Sequence, residues 1–266
     1  MDSMRASDRV RLSLVAPVHD EAPNLDLLIE RAIGVLDGSR WRGAWEFVLV
    51  DDASADESGA ILRRWGERDA RIRVITFERN AGQSAALAHG LCAAVGEFKA
   101  TLDADLQNDP VDLLGMLELL QAESCDAVVG WRRTRQDSWV KRKSSRVANA
   151  VRNAITGDDI RDTGCGLKVF RAEALEGLRW FDGAHRFLPT LLRTQGKRVL
   201  QHPVNHHPRV AGRSKYGVRN RALRAFVDLL GVRWLQSRAL RVPLPATGVA
   251  AGGTARASRS QAEVFP

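Results

Sequence analysis

The strongest constraint on the fold is a repeated unit: a short, nearly unbroken apolar run, a polar turn, then an amphipathic helical pattern. Val10 to Ala16 stops at Pro17 and is followed by the loop Val18-His19-Asp20-Glu21-Ala22-Pro23. Asn24 is then the expected helix cap, and Leu25, Leu28, Ile29, Ala32, Ile33 and Leu36 mark one helical face. Glu46 to Val50 ends in Asp51-Asp52, and the turn Ala53-Ser54-Ala55-Asp56 leads into a helix with Ile61, Leu62 and Trp65 inward. Ile72 to Phe77 is followed by Glu78-Arg79-Asn80-Ala81-Gly82 and a helix through Ala85 to Ala94. Phe98 to Leu102 and Asp126 to Gly130 continue the series. Strands alternating with helices at this spacing predict a mostly parallel, three-layer α/β sheet. The continuous apolar runs agree, because a parallel sheet is covered on both faces. No G-x-G-x-x-G follows the first run, which argues against a dehydrogenase-type dinucleotide fold.

Each of the first four runs ends in polar residues: Glu21, then Asp51 and Asp52, then Arg79 and Asn80, then Asp103 and Asp105. In a parallel sheet those ends lie along one edge and their loops converge on one crevice, which is where function is built. The fourth end, Thr101-Leu102-Asp103-Ala104-Asp105-Leu106-Gln107-Asn108-Asp109-Pro110, carries two carboxylates at alternate positions. On an extended backbone these point to the same side. Asp109-Pro110 reads as a helix cap and first-turn proline ahead of Leu113, Leu114, Leu117 and Leu120. A hard divalent cation shared with a phosphorylated substrate wants one or two such carboxylates, with phosphate and water filling the other positions. An isolated D-x-D is as readily an acidic solvated loop; four polar strand ends in succession favour a site.

Charge divides the 266 residues sharply. Residues 1–130 hold 13 Lys/Arg against 23 Asp/Glu, net −10, and residues 131–266 hold 27 against 9, net +18. The second half is therefore expected to meet something anionic: nucleic acid, phosphate or a lipid surface. Its basic stretch, residues 131–152, has eight Lys/Arg (Arg132, Arg133, Arg135, Lys141, Arg142, Lys143, Arg146, Arg152) and one acid, Asp137. Asp162-Thr163-Gly164-Cys165-Gly166 reads as a tight turn before a strand, Leu167 to Phe170. Helical stretches are expected over Ala172 to Leu178 and Arg186 to Thr194, and an edge strand over Arg198 to Val204 because of Pro203. His202, His206 and His207 fit no familiar metal spacing and read as strand-end residues. His185-Arg186 either faces the crevice or caps the next helix. After the basic, glycine-bracketed loop Arg209 to Gly217, the residues Leu223, Phe226, Val227, Leu230, Trp234 and Leu235 form one helical face among Arg219, Arg221, Arg224, Arg233 and Arg238. That composition suits either an interfacial membrane helix or one packed on the protein's own core. Three cysteines without CxxC spacing suggest reduced thiols. No apolar run of about 18 residues offers a conventional membrane span, and Met1 to Arg11 has no apolar signal core. Residues 243–266, rich in Ala, Gly and Ser, read as a disordered tail.

Pro17-Val18-His19-Asp20-Glu21, Val50-Asp51-Asp52-Ala53-Ser54, Arg79-Asn80-Ala81-Gly82 and Asp103-Ala104-Asp105-Leu106-Gln107 resemble, in order and spacing, the inverting GT-A glycosyltransferases of family 2. The full D-A-D-L-Q, with Asp162-Thr163-Gly164-Cys165-Gly166-Leu167 and Gly212-Arg213-Ser214-Lys215-Tyr216-Gly217, is similar to the dolichol-phosphate mannosyltransferase and polyprenyl-phosphate glycosyltransferase branch. The resemblance covers about residues 10–238. It implies a single GT-A catalytic domain over 1–242, with a donor half (10–130) and an acceptor half (131–242). It also implies a GDP- or UDP-linked sugar donor, Mg²⁺ or Mn²⁺, a polyprenyl-phosphate acceptor, and work at the cytoplasmic face of a membrane, alone or with a partner membrane protein. Pro17, Glu21, Asp51 and Asp52 would hold the nucleoside, with Arg79, Asn80, Gly82 and Ala104 also in the donor site. Asp103 would lie near ribose and metal, Asp105 and Gln107 would ligate the metal, and Arg213 and Lys215 would close over the diphosphate. Arg132, Arg142 and Arg146 would take the acceptor phosphate. Asp162 would orient one of these arginines or act as a base, and a plain solvated turn fits its residue pattern equally. Two departures bear on donor identity: Gln83 stands where many relatives carry Lys, and His19-Asp20 where Tyr-Asn is commoner.

A phosphate monoester acceptor is already ionised near neutral pH, its second pKa being about 6, so this chemistry requires no catalytic base. It requires a cationic clamp instead, and the −10/+18 division then separates a metal-chelating half from a phosphate-facing half. A hydroxyl acceptor in envelope polysaccharide assembly is the alternative, and would need a base. Nucleic-acid binding is disfavoured because the basic segments carry few aromatics for stacking. A non-catalytic scaffold is disfavoured by the intact motifs.

Overall fold

The computed structural model describes residues 10–133, 149–208 and 218–238, the side chains of 218–224 excepted. Seven strands form one sheet in the order β3-β2-β1-β4-β6-β5-β7. Its first half is the predicted alternation: β1 (Leu12–Val18), α1 (Ala22–Asp37), β2 (Trp45–Asp51), α2 (Ser58–Arg68), β3 (Ile72–Thr76), α3 (Gln83–Ala93), β4 (Phe98–Thr101) and α4 (Asp112–Ala122). β1 pairs in parallel with β2 and β4, and β2 with β3. The chain thus runs outward from β1 and then returns to its other side. The crevice between β1 and β4 is the switch point where open α/β sheets accept ligands.

Period-two alternation decides which face each strand residue covers. Leu12, Leu14, Ala16 and Val18 of β1 join Leu25, Leu28, Ile29, Ala32 and Leu36 of α1 in the larger core, along with Leu113, Met116, Leu117 and Leu120 of α4. Val15 turns the other way, to Val48, Val50 and α3. There α3 lies close to the sheet: a Cβ on Gly90 would stand 2.4 Å from Val15 Cγ1.

The second half departs from simple alternation. β5 (Ala127–Arg132) is followed by a helix over residues 149–156 (α5), then β6 (Lys168–Arg171), α6 (Leu188–Thr194), β7 (Val199–Val204) and α7 (Val218–Ser237). β6 is inserted antiparallel between β4 and β5, and β7 pairs in parallel with β5. β4, β5 and β7 therefore end at the same edge of the sheet. β7 is an edge strand, as Pro203 indicated.

Several local expectations are corrected. Asn24 does not cap α1; it is buried in the first turn and its Nδ2 donates to Glu21 Oε2 at 2.7 Å. Asp109-Pro110 precedes α4 rather than opening it, and Asp109 Oδ1 accepts the Val111 N–H at 3.1 Å. Over Ala172 to Leu178 there is only a 3₁₀ turn, Ala172–Leu175, because the chain reverses at Gly177 with φ 70°. The helix expected from Arg186 is a 3₁₀ turn, Ala184–Arg186, and then α6, with Pro189 in its first turn. On α7 the face read from sequence is not the packed one. Leu229 and Val232 enter the core, whereas Phe226, Val227, Leu230 and Trp234 on the opposite side are 48, 59, 49 and 60% exposed. No helix among the described residues is long and apolar enough to cross a membrane. The three cysteines are free, and the tail proposed for 243–266 lies outside the described residues.

Candidate active site

The loops after β1, β2 and β3 are laced together by their own polar side chains. Asp20, held at φ 50°, donates its N–H to Ser54 Oγ at 3.0 Å and accepts the Ala55 N–H at 2.7 Å. The Glu21 N–H donates to Ser58 Oγ, and that of Ala22 to Asp56 Oδ2. Asp51 Oδ1 accepts the Ser54 N–H at 3.0 Å. The two oxygens of Asp52 accept the Ala81 and Gly82 N–H groups at 2.6 and 2.9 Å. Asn80 Nδ2 lies 3.3 Å both from the Asp52 carbonyl oxygen and from His19 Nε2. The carboxylates of Asp51 and Asp52, each residue 3% exposed, thus brace the rim of the crevice from inside. Pro17 sits in β1 beside Val50, and exposed Arg79 lines a shallow cleft with Thr76, Phe77, Glu78, Ala81 and His89.

β4 stops at Thr101, so no strand presents the acidic pair, yet the alternation survives through the turn that follows. Ala104 and Leu106 are buried in the core, and Asp103, Asp105 and Gln107 are half-buried between them. Ala104 can therefore offer a ligand only its backbone. Leu106 adopts φ 59°, a left-handed conformation that a bulky side chain takes up only when its surroundings impose it. Asp103 Oδ1 accepts from Gln83 Nε2 at 3.0 Å, and Asp105 Oδ1 from the Gln107 N–H at 3.2 Å. Against Asp103 lies Gly166, where a Cβ would stand 2.1 Å from Asp103 Oδ2. Only a glycine permits that approach. Burial, with the neighbouring Asp105 charge, pushes the Asp103 carboxyl up to about 6, although Lys168 and Arg132 pull the other way and Glu21 adds to the rise.

Chemically this is an oxygen-rich turn whose negative charges raise one another's cost, an arrangement a hard cation would relieve. Among the described residues no group of three His, Cys, Asp or Glu makes a complete cage. A metal here would take Asp103, Asp105 or Gln107 oxygens and complete its shell from phosphate and water.

Across β6 lies the cationic side. Arg132, at the end of β5, makes a two-pronged pair with Asp162: Nε to Oδ2 at 2.6 Å and Nη2 to Oδ1 at 2.8 Å. Their side chains are 14 and 8% exposed. The Arg132 backbone N–H also donates to Asp162 Oδ2 at 3.4 Å, and the Gly164 N–H to Oδ1 at 3.2 Å. Asp162 is therefore a buried, paired carboxylate rather than part of a solvated turn. Arg142, Arg146, Arg213 and Lys215 lie outside the described residues.

Lys168 reads in the sequence as one residue of the strand Leu167 to Phe170. It is 5% exposed, sits between Thr101 and Val129 in the sheet, and donates to the Cys165 carbonyl. Burial lowers its pKa, countered by Cys165, Asp103 and Asp162. A charge inside the apolar run Leu167-Lys168-Val169-Phe170 was the available signal. His185 Nδ1 lies 2.7 Å from Ser84 Oγ in the first turn of α3, and Arg186 pairs with Asp228 of α7 at 3.2 Å. His202 packs against α4 near Gly115, and His207 lies beside Asp109.

The family described as Glycosyl transferase family 2 matches residues 13–179. A dodecaprenyl-phosphate galacturonate synthase of Rhizobium johnstonii is 37% identical over 227 residues, covering 84% of this chain and 66% of that protein. An undecaprenyl-phosphate 4-deoxy-4-formamido-L-arabinose transferase of Edwardsiella ictaluri is 35% identical, covering 78% of this chain and 63% of that one. The chain thus spans less than two thirds of the length of these relatives. Among solved structures, a Pyrobaculum calidifontis mannosyltransferase in complex with GDP-Man and Mn²⁺ superposes with a TM-score of 0.60 at 24% identity, covering 88% of this chain and 66% of that one. Glucosyl-3-phosphoglycerate synthase of Mycobacterium tuberculosis, in complex with Mn²⁺, UDP and phosphoglyceric acid, gives 0.64 at 19%, covering 92% and 82%.

Proposed function

The chain belongs to glycosyl transferase family 2, with a GT-A-like fold, and from that premise we propose that it moves a sugar, with inversion, from a GDP- or UDP-linked donor to a polyprenyl phosphate at a membrane surface. The observation that carries this reading is the meeting of opposite charges at one sheet edge. The Asp103–Asp105 turn follows β4, and the buried Arg132–Asp162 pair closes β5, with only β6 between the two strands. The relatives' names, which specify dodecaprenyl and undecaprenyl phosphates, support the acceptor class.

The loops braced by Asp51, Asp52 and Asn80 would receive the nucleoside between Pro17, Glu21 and Gly82, with Arg79 at the rim. Held by Asp105 and Gln107 with Asp103 alongside, Mg²⁺ or Mn²⁺ would neutralise charge on the departing nucleoside diphosphate. Arg213 and Lys215 would add fixed positive charge over the same diphosphate. On the acceptor side, Arg132, paired with Asp162, would face a phosphate together with Arg142 and Arg146. Arginine suits that task because its planar fork binds phosphate through two parallel hydrogen bonds. The acceptor phosphate is its own nucleophile and is ionised near neutral pH, its second pKa being about 6. Both oxygens of Asp162 are already engaged by Arg132, which fits a reaction without a protein base. The exposed Phe226, Val227, Leu230 and Trp234 face of α7, edged by arginines, would rest on the lipid interface near the acceptor.

The test is transfer of radiolabel from nucleotide sugars to undecaprenyl or dolichyl phosphate with and without Mn²⁺. Product should form with one of GDP-mannose, UDP-glucose, UDP-galacturonate or a UDP-N-acetyl sugar, and Asp105→Ala should abolish it. No lipid-linked product with any of these donors, or transfer to a hydroxyl acceptor instead, would overturn the proposal.

A further inference from the structure

The segment leaving β7 makes an unusual number of attachments to one short stretch of chain. Val204, the last residue of β7, is buried in the main core. Directly after it, the Asn205 N–H donates to Asp112 Oδ2 at 2.7 Å and Asn205 Nδ2 donates to Asp112 Oδ1 at 2.9 Å. Two residues on, the His207 N–H donates to the Gln107 carbonyl oxygen at 2.9 Å. The His207 ring follows, with Nε2 3.2 Å from Asp109 Oδ2. Four contacts from two residues thus grip the stretch from Gln107 to Asp112, and Pro208 stiffens the chain beyond.

What these contacts hold is the acidic turn. Inside it, the Gln107 N–H reaches only to Asp105 Oδ1, at a long 3.2 Å, and Leu106 sits in a left-handed conformation that leucine does not favour. On one side Gly166 abuts Asp103. On the other, the Asn205–His207 strap fixes the carbonyl of Gln107 and the first turn of α4.

We infer that Asn205 and His207 are positioning residues. They set the Asp105–Gln107 peptides in the conformation that receives the donor's metal. The inference rests on the metal-dependent reading above for its consequence, and on hydrogen bonds alone for its geometry. It also gives His207 a task, holding the backbone of the turn.

Two measurements on the full chain separate the strap from the metal reading. The first is hydrogen exchange of the 103–109 amides without metal, in wild type, His207→Ala, Asn205→Ala and His207→Gln. The second is titration of Mn²⁺ in the presence of UDP or GDP. Loss of the ring contact to Asp109, one net hydrogen bond because the His207 N–H to Gln107 survives the substitution, should speed exchange in 103–109 and weaken Mn²⁺ binding about fivefold in His207→Ala. Exchange in β1 and α1 should stay as in wild type. His207→Gln, which keeps a donor reaching Asp109, should recover most of both effects, and Asn205→Ala should act in the same direction. Unchanged exchange in a folded His207→Ala protein overturns the inference, as does a loss spread evenly over the molecule. If His207→Ala does not fold, Asn205→Ala is judged by the same criteria. Failure of the wild type to bind Mn²⁺ would sink the metal reading, and the exchange data alone then decide the strap.

Discussion

Replacing Asp103 with asparagine isolates the electrostatic cost of the acidic turn. The carboxyl titrates near 6 in the folded protein against an ordinary value of 3.8, chiefly through burial and then through Asp105. Below about pH 4 the group is protonated in both folded and unfolded chains and costs nothing. Between 4 and 6 the unfolded chain gives up its proton and the folded one keeps it, so stability falls as pH rises. Above 6 both are ionised and the full penalty persists, about 3 kcal/mol for a gap of roughly two units at about 1.4 kcal/mol per unit. Asparagine retains an oxygen to accept from Gln83 Nε2 and a nearly identical volume against Gly166. Asp103→Asn should therefore be more stable than wild type by up to about 3 kcal/mol at pH 8, which corresponds to roughly 6 °C in Tm for a chain of this size. The advantage should shrink steadily as pH falls towards 4. Calorimetry or urea titration at pH 5, 6.5 and 8 in EDTA reads this directly. Added Mn²⁺ with UDP or GDP should reverse the order. A ligand at about a thousand times its Kd stabilises the wild type by about 4.1 kcal/mol, more than the ~3 kcal/mol deficit, and the variant should gain far less. A variant less stable than wild type at pH 8, or a difference that does not vary with pH, would refute the reasoning.

Asp162→Ala should destabilise the protein by about 3–5 kcal/mol in urea unfolding, because it strands Arg132 in a buried position, and pairing it with Arg132→Met should recover most of the loss. Gly166→Ala should leave the protein folded yet lower Mn²⁺-dependent transfer by more than about tenfold, since the new methyl must displace Asp103; near-normal transfer would contradict the close approach. Trp234→Glu should reduce flotation with anionic liposomes by about tenfold or more while leaving urea stability nearly unchanged. Leu229→Ala, on the packed side of α7, should cost about 2–5 kcal/mol of stability and leave flotation of the folded protein intact.

Much of the first half of the chain was legible residue by residue. The strands Leu12–Val18, Trp45–Asp51, Ile72–Thr76 and Phe98–Thr101 lie where the apolar runs put them, since strands buried on both faces need unbroken apolar sequence. Their polar ends do gather on one edge, because parallel strands joined by helices all point one way. The alternation of Asp103, Asp105 and Gln107 with buried Ala104 and Leu106 was likewise written in the residue order.

Tertiary structure decided what no local pattern encodes. Whether a loop carboxylate meets a ligand or a backbone N–H is invisible in sequence, and Asp52 proves to hold Ala81 and Gly82. The antiparallel insertion of β6 brings Gly166 against Asp103 and buries Lys168 beneath the site; such pairings join residues more than sixty positions apart. The Arg132–Asp162 pair and the Asn205–His207 strap are long-range contacts of the same kind. On α7 the apolar residues divide between two faces, and periodicity ranks a face by its hydrophobicity without saying what it touches. Sequence alone determined the strands, the edge and the acidic turn, through local periodicity and chain direction. Which side chains meet at that edge depended on strand order, a property of the folded sheet as a whole.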